Sequence, residues 1–315
     1  MSFGLDHLIV GQDEVIMSAA RPVVCAFFMA VVAATVAYGQ TSVRGNLASP
    51  WLDLPNARAR LVAGPPAVIS GKSYLAGVEV TLGDGWKTYW RMPGDAGVPP
   101  SFDWSGSTNV ASAKVLYPSP VRMSEPAAET VGYKHSVLFP VEVVPKDPSR
   151  PVALALSMEF GVCREICIPA EAKFSLALSP GAMDGAPSAE ILAALDKVPR
   201  PKASRHIDDP QVTRSMAFLE GGTPHLVVVA RFPRGDGGAD LFIEAPDGLY
   251  VPMARRMPEA GSGGEARLEA DAAGGLVRFE VDLSRTGNAA ELRGKTLRLT
   301  LVSDAGAAES DWTIP

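Results

Sequence analysis

The chain has 315 residues, 47% hydrophobic and 20% charged, with 29 basic side chains against 35 acidic ones and a net charge of −6. That length accommodates two domains, and that apolar share builds cores, which excludes wholesale disorder. An acidic chain lacks the basic face that displaces counterions from phosphate or holds an anionic bilayer, so neither nucleic acid nor a membrane surface is an expected partner.

In chain order, the first feature is Arg21 followed by an apolar run from Val23 to Ala34, then small residues at Ala37 and Gly39. A basic start, a short apolar stretch and small residues at the cut predict a secretory signal over 1–39. Asp6, Asp13 and Glu14 suit such a signal badly, which points to Met17 as its start. A retained anchor is the second reading, because the run is shorter than the roughly 20 residues that span a bilayer. Cys25 follows Val24 and not a small residue, so it is no lipid-attachment site and leaves with the signal. The mature chain then carries only Cys163 and Cys167, in a compartment where a pair can oxidise.

From Gln40 onward, short β-type runs alternate with Gly, Pro, Asp and Ser clusters. Ser73–Leu82, Lys114–Tyr117, Ser136–Val144, Val152–Phe160 and Phe174–Leu178 read as strands, and the 27 prolines and 30 glycines fall mostly between such runs. This predicts an all-β chain whose residues 40–185 form a sandwich. Pro187–Val198 reads as a short helix with Ile191, Leu192 and Leu195 on one face, stopped by Pro199-Arg200-Pro201, so 186–204 is helix and linker. His225–Phe232, Ala239–Ala245, Gly275–Leu283 and Thr296–Val302 then predict a second β-sandwich over 205–315. Its loops are Pro233–Gly238 and Gly261–Gly264. It has no cysteine and reads as scaffold or docking module.

The chemistry concentrates in Gly161-Val162-Cys163-Arg164-Glu165-Ile166-Cys167-Ile168-Pro169-Ala170. The runs on either side alternate like strands. If they pair, the two cysteines face each other across a tight turn with Cβ atoms about 4.5–5.5 Å apart, near disulfide range. Pro169 would then cap the ladder. Three readings compete. An inert disulfide closes too small a loop to add much stability. A metal site lacks ligands: no third cysteine survives and His135 is the nearest histidine, which argues against zinc, while Cu(I) would accept the two thiolates with Met158 or Met123. Thiol–disulfide exchange needs thiolate bias, which Arg164 favours and Glu165 opposes. Spacing alone puts exchange only slightly ahead. No zincin helix, phosphate loop or serine-nucleophile elbow is present, and no cofactor or metal is expected.

The surroundings of the pair are more specific. Gly83–Trp104, with Gly85-Trp86-Lys87-Thr88-Tyr89-Trp90 inside it, then Glu129–Val143 with Gly132-Tyr133 and Pro140, then Phe160–Leu176 with Cys167-Ile168-Pro169, come in an order that resembles the N-terminal periplasmic domain of DsbD. The resemblance leans toward the ScsB-like branch, because in DsbD the cysteines sit further apart. It implies an immunoglobulin-like sandwich in which Cys163 and Cys167 cycle between dithiol and disulfide. Electrons would pass from a membrane-embedded reductase or thioredoxin-like domain to a periplasmic client such as a disulfide isomerase or a cytochrome c maturation protein, with a role in copper tolerance or cytochrome maturation. The chain shows neither a multi-span membrane domain nor a thioredoxin C-x-x-C, so its donor would act in trans. The aromatic cap of the family has no aromatic counterpart in Met123–Glu129, which leaves Met123 or Tyr133 to shield the pair. Trp86 and Trp90 are expected in the core, and Tyr89, Tyr133, Met123 and Glu165 around the cysteine pocket. Against this relay stand a periplasmic Cu(I)-binding module using the same cysteines and an adaptor with a structural disulfide.

Overall fold

The computed structural model describes residues 48–64, 73–125, 128–178, 188–246, 248–258, 275–286 and 289–315. The expected signal, Pro187 at the expected helix start and the Gly261–Gly264 loop lie outside them. Residues 43–315 make one compact unit. Among the described residues no helix is long and apolar enough to cross a membrane.

Four largely antiparallel sheets carry the architecture. The first runs β1 (Leu52–Leu54), β2 (Ala57–Gly64), β3 (Tyr74–Leu82), β9 (Ser136–Pro145), β6 (Val110–Val115). The second runs β11 (Cys167–Leu178), β10 (Val152–Cys163), β4 (Lys87–Gly94), β8 (Glu129–Lys134), β7 (Val121–Ser124), with β5 (Ser101–Asp103) also paired to β10. These two sheets enclose one core. Along β10 every second residue from Val152 to Val162 points into it, and Val78, Val80, Phe139 and Val141 meet them from the other sheet. The period of two is what an antiparallel strand with one wet face requires. Phe139 lies at the centre, edge-on to Phe102, Tyr117 and Tyr133 with ring centroids 5.4–5.5 Å from the last two. Edge-to-face packing of this kind adds to the area each ring buries.

Chain crossing between the sheets is abrupt. β8 ends at Lys134 in one sheet and β9 starts at Ser136 in the other, so His135 alone turns the corner, with φ +64° and its carbonyl accepting from Leu82. Helix α1 (Ala189–Asp196) packs Ile191 against Val62 and Leu75 on the outer face of the first sheet. Its buried residues are Ile191 and Ala194, whereas Leu192, expected on the same face, is exposed, because the apolar stripe of a helix this short covers little more than one turn.

The remaining two sheets run β12 (Arg200–Pro201), β19 (Gly306–Thr313), β18 (Thr296–Ser303), β15 (Asp240–Glu244) and β13 (Gln211–Phe218), β14 (His225–Arg231), β17 (Leu276–Asp282), β16 (Arg255–Arg256). They enclose a second core of Leu226, Val228, Leu241, Phe279, Leu299 and their neighbours. The alternate residues of the β15 sheet, Phe242, Val302 and Ala307, face the first sandwich and join its core, with Phe242 tilted 5.6 Å from Trp90. Two arginines of the first sandwich close this seam. Arg91 forks onto Glu244 with bonds of 2.9 and 2.7 Å and also pairs with Glu309, and Arg122 forks onto Asp240 at 2.8 and 2.6 Å and donates to the Ala254 carbonyl. Bidentate geometry and partial burial make these stronger than ordinary surface pairs.

Replacing Phe139 with Ala removes the shared partner of two tyrosines and a phenylalanine and should cost about 3–5 kcal/mol. Guanidinium unfolding of the wild type and variant measures this, and a loss below about 1 kcal/mol would mean the cluster does not hold the sheets together.

Candidate functional site

β10 and β11 form a hairpin with twelve consecutive cross-strand pairs, from Val152 opposite Leu178 to Cys163 opposite Cys167. The register needs no irregularity, so the sulfurs end up on one face at the very tip. They form a disulfide with Cα atoms 4.1 Å apart, the close spacing of a non-hydrogen-bonded pair. Arg164, Glu165 and Ile166 make the turn, and the Arg164 amide donates to the Ile166 carbonyl at 3.0 Å. Pro169 does not cap the ladder as expected: it pairs with Gly161 and the ladder runs on. β11 is an edge strand, where a residue without an N–H is tolerated at a position that makes no ladder bond.

The two cysteines are not equivalent. Cys163 is 1% exposed while Cys167 lies at the surface. Cys163 also pairs on its other side with Lys87 of β4, and Lys87 in turn with Lys134 of β8. One row across the sheet therefore reads Cys167, Cys163, Lys87, Lys134, all on the face away from the first core. Two residues along β4 from Lys87 comes Tyr89, whose hydroxyl lies 3.4 Å from Cys167 Sγ. Its ring lies beside Gly161 and beneath Gly97 and is almost fully buried. Burial, followed by the nearby Glu125 carboxylate, pushes the phenol above its ordinary range, so the hydroxyl keeps its proton across physiological pH.

Lys87 is itself buried. Its ammonium pairs with Glu125 and lies 3.3 Å from Thr130 Oγ1. The pair borders a cleft of about 230 Å³ lined by Trp86, Met123, Glu125, His135 and Arg164 among others. The Arg164 guanidinium lies 5.8 Å over the Trp86 ring, so the hairpin tip leans on this cleft.

The residues anticipated around the pair separate into four places. Met123 lines the cleft. Tyr89 touches the disulfide. Tyr133 sits opposite Thr88, points into the first core against Phe139, and donates its hydroxyl to the Pro118 carbonyl at 2.8 Å. It shields nothing. Glu165 is at the tip of the turn with an 87% exposed side chain, 3.8 Å from Arg164. Trp90 is in the core, and Trp86, expected there too, packs half-buried against its edge and also lines the cleft. Lys87 and Glu125 were not picked out from the sequence. A Lys two residues before a Tyr on a β run gives no warning that both will be buried beside a cysteine.

This arrangement can hold one sulfur in reserve and present the other. It also offers Cys167 a hydrogen-bond donor that strengthens when the sulfur becomes anionic.

Residues 58–179 match the family described as thiol:disulfide interchange protein DsbD, N-terminal. The crystal structure of the N-terminal periplasmic domain of ScsB from Proteus mirabilis has the same fold: 23% identity, a TM-score of 0.62, and an alignment covering 86% of this chain and 99% of that one. No curated protein matches the chain.

The Tyr89 contact gives a signed expectation. A donor to the Cys167 thiolate stabilises the dithiol form, so Tyr89→Phe should lower the midpoint potential of the pair, by about 20 mV for roughly 1 kcal/mol in a two-electron couple. Because the donor acts on the thiolate, the shift should be small well below the ordinary thiol range of about 8.5 and grow as pH rises toward it, while the phenol, held above its own ordinary range, keeps its proton. Equilibration against glutathione buffers reads both, and an unchanged midpoint would remove the hydroxyl from the chemistry.

Proposed function

We propose that this chain, whose residues 58–179 belong to the DsbD N-terminal family, is a periplasmic thiol–disulfide interchange protein that relays electrons through Cys163 and Cys167. Its donor is a thioredoxin-like domain or membrane-embedded reductase acting in trans, and its clients are disulfide-bearing periplasmic proteins such as a disulfide isomerase or a cytochrome c maturation protein. The sandwich of residues 40–185 carries the exchange and the sandwich of 205–315 supports it.

The observation that carries this reading is the unequal exposure of the two sulfurs. A donor thiolate can approach only Cys167 Sγ. Its attack forms a mixed disulfide with Cys167 and breaks the bond to Cys163, which leaves as a thiolate and takes up a proton. The donor's second thiolate then attacks the donor's own sulfur in that mixed disulfide, so Cys167 departs as a thiolate with the Tyr89 hydroxyl beside it. Two electrons have moved, the donor is a disulfide and the pair is a dithiol. Delivery runs the other way: Cys167 attacks the client disulfide, and Cys163, held behind it, attacks Cys167 Sγ and releases the client as a dithiol. A buried resolving sulfur one cross-strand pair away keeps the mixed disulfide short-lived.

The test follows from the asymmetry. Cys163→Ala should accumulate a mixed disulfide when its Cys167 thiolate attacks the disulfide of an oxidised thioredoxin-like partner, whose other sulfur leaves as the thiolate, and Cys167→Ala should not. A midpoint for the wild-type pair on the order of −180 to −270 mV fits a relay, and a value below roughly −300 mV would mark an inert bond and overturn the reading. Wild-type exchange rates in either single-cysteine variant would overturn it equally.

A further inference from the structure

Both halves of the exchange put a negative charge on Cys163. It leaves as a thiolate when a donor attacks Cys167, and it must be a thiolate again to release the client. Yet Cys163 is the sulfur that water hardly reaches, at 1% exposure. Burial alone disfavours an anion there unless a charge or hydrogen-bond donors stand in for the lost solvent.

The polar groups around the pair divide by sign and by reach. In the turn, Arg164 lies over the Trp86 ring with its side chain 53% exposed, and Glu165, more exposed still, is 3.8 Å from it. Tyr89 of β4 places its hydroxyl beside Cys167, the other sulfur. Lys134 of β8 and His135 are exposed on the rim of the cleft. Lys87 differs from all of these. Among the described residues it is the only lysine or arginine that is buried, and it lies directly opposite Cys163 in the β10–β4 ladder. Side chains so paired share a face, with Cβ atoms about 4.5–5.5 Å apart. Cys167 is one strand further away, roughly another 4.8 Å. Glu125 and Thr130 Oγ1 occupy two of the three N–H donors of the Lys87 ammonium. The Glu125 pair explains how a lysine is tolerated at this position, but not why a cation is there, because an apolar pair of like volume would hold the sheet as well. Glu125 is also the better screened partner, its side chain 40% exposed against 7% for Lys87, so the positive charge is the one a buried neighbour feels more strongly.

We infer that Lys87 is the counter-charge of the Cys163 thiolate, a positioning residue that touches neither donor nor client and sets which sulfur leaves. This deepens the relay reading and rests on it. The work is divided: the Tyr89 hydroxyl serves the surface sulfur and the Lys87 ammonium the buried one. When a donor thiolate bonds to Cys167 Sγ, the electron pair of the old S–S bond goes to Cys163, and the ammonium beside it makes Cys163 the better leaving group. On delivery the same charge raises the share of Cys163 present as thiolate, ready to displace the client.

The experiment uses the full chain in two backgrounds: Cys167→Ala, which isolates Cys163, and Cys163→Ala, which isolates Cys167. The rate of alkylation by iodoacetamide against pH gives the titration midpoint of each thiol without any partner. In the first background Lys87→Met should raise the Cys163 midpoint by about one unit, the scale of losing an opposite charge at this spacing. Lys87→Arg, which keeps the charge, should leave it near the parent value, and Glu125→Gln, which removes the counter-charge, should lower it. The double variant Lys87→Met with Glu125→Gln should fall between the parent and Lys87→Met. In the second background Lys87→Met should move the Cys167 midpoint by clearly less. With both cysteines present, Lys87→Met should slow reduction by dithiothreitol at neutral pH about threefold, because the leaving thiol has become the weaker acid. An unmoved Cys163 midpoint in Lys87→Met, or equal shifts at the two sulfurs, overturns the assignment. Glu125→Gln leaves the lysine in place, so its opposite shift decides the question if Lys87→Met does not fold, and a Cys163 midpoint that fails to fall there overturns it equally. A failed relay appears elsewhere, as a midpoint potential in the range of inert structural bonds, and leaves the thiol titrations readable.

Discussion

The register of the β10–β11 hairpin is the constraint from which the rest of the site follows. Twelve pairs without a bulge commit every second residue to the core. A slip of one position would turn the whole apolar set of β10 outward and the cysteines inward, so the core itself enforces the placement of the sulfurs. The disulfide does not organise this end of the molecule. It lies where the packing of Phe160 and Val162 leaves it, and reducing it removes one covalent link from a ladder that eleven other pairs continue to hold.

The same alternation on the neighbouring strands decides what surrounds the pair. Lys87 and Tyr89 share the outward face with Cys163, while Thr88 turns to the core opposite Tyr133. A buried lysine requires a partner, and Glu125 supplies it from β7's end of the sheet. The site therefore gathers a charged pair and a neutral hydroxyl beside the sulfurs, with the Lys87 ammonium 5.8 Å from the centre of the Tyr89 ring. Gly97 lies against the Tyr89 ring, and the cleft opens beside the charged pair.

Much of this was legible in the sequence, and the reasons for the rest are local. The strands from Ser73 to Leu82 and from Val152 onward announce themselves by alternation, and the hairpin was implied by two alternating runs with the cysteines between. β4 and β8 were not among the runs that alternation alone picked out, because both faces of β4 near Tyr89 are buried and a bulge breaks its pairing between Tyr89 and Gly94. The choice between Tyr89 and Tyr133 as the residue beside the disulfide turns on a single parity, which composition and spacing do not carry. The Tyr250–Asp95 contact spans 155 residues and the Lys87–Glu125 contact 38. Neither has a short-range signature, since each depends on how whole sheets come to rest against one another.

The seam between the sandwiches bears on how portable the redox half is. Its cations, Arg91 and Arg122, belong to the first sandwich, and most of the carboxylates that neutralise them, with the apolar side chains Phe242, Val302 and Ala307, belong to the second. Cut apart, one piece would show Arg91 stripped of both its carboxylates and Arg122 left with Glu129 alone near an uncovered Trp90, and the other a patch of carboxylates ringing bare hydrocarbon. Each surface invites adhesion to whatever else is present. The two sandwiches are thus one unit of engineering: a cysteine hairpin trimmed to a minimal fragment would leave this mixed apolar and charged seam open to solvent.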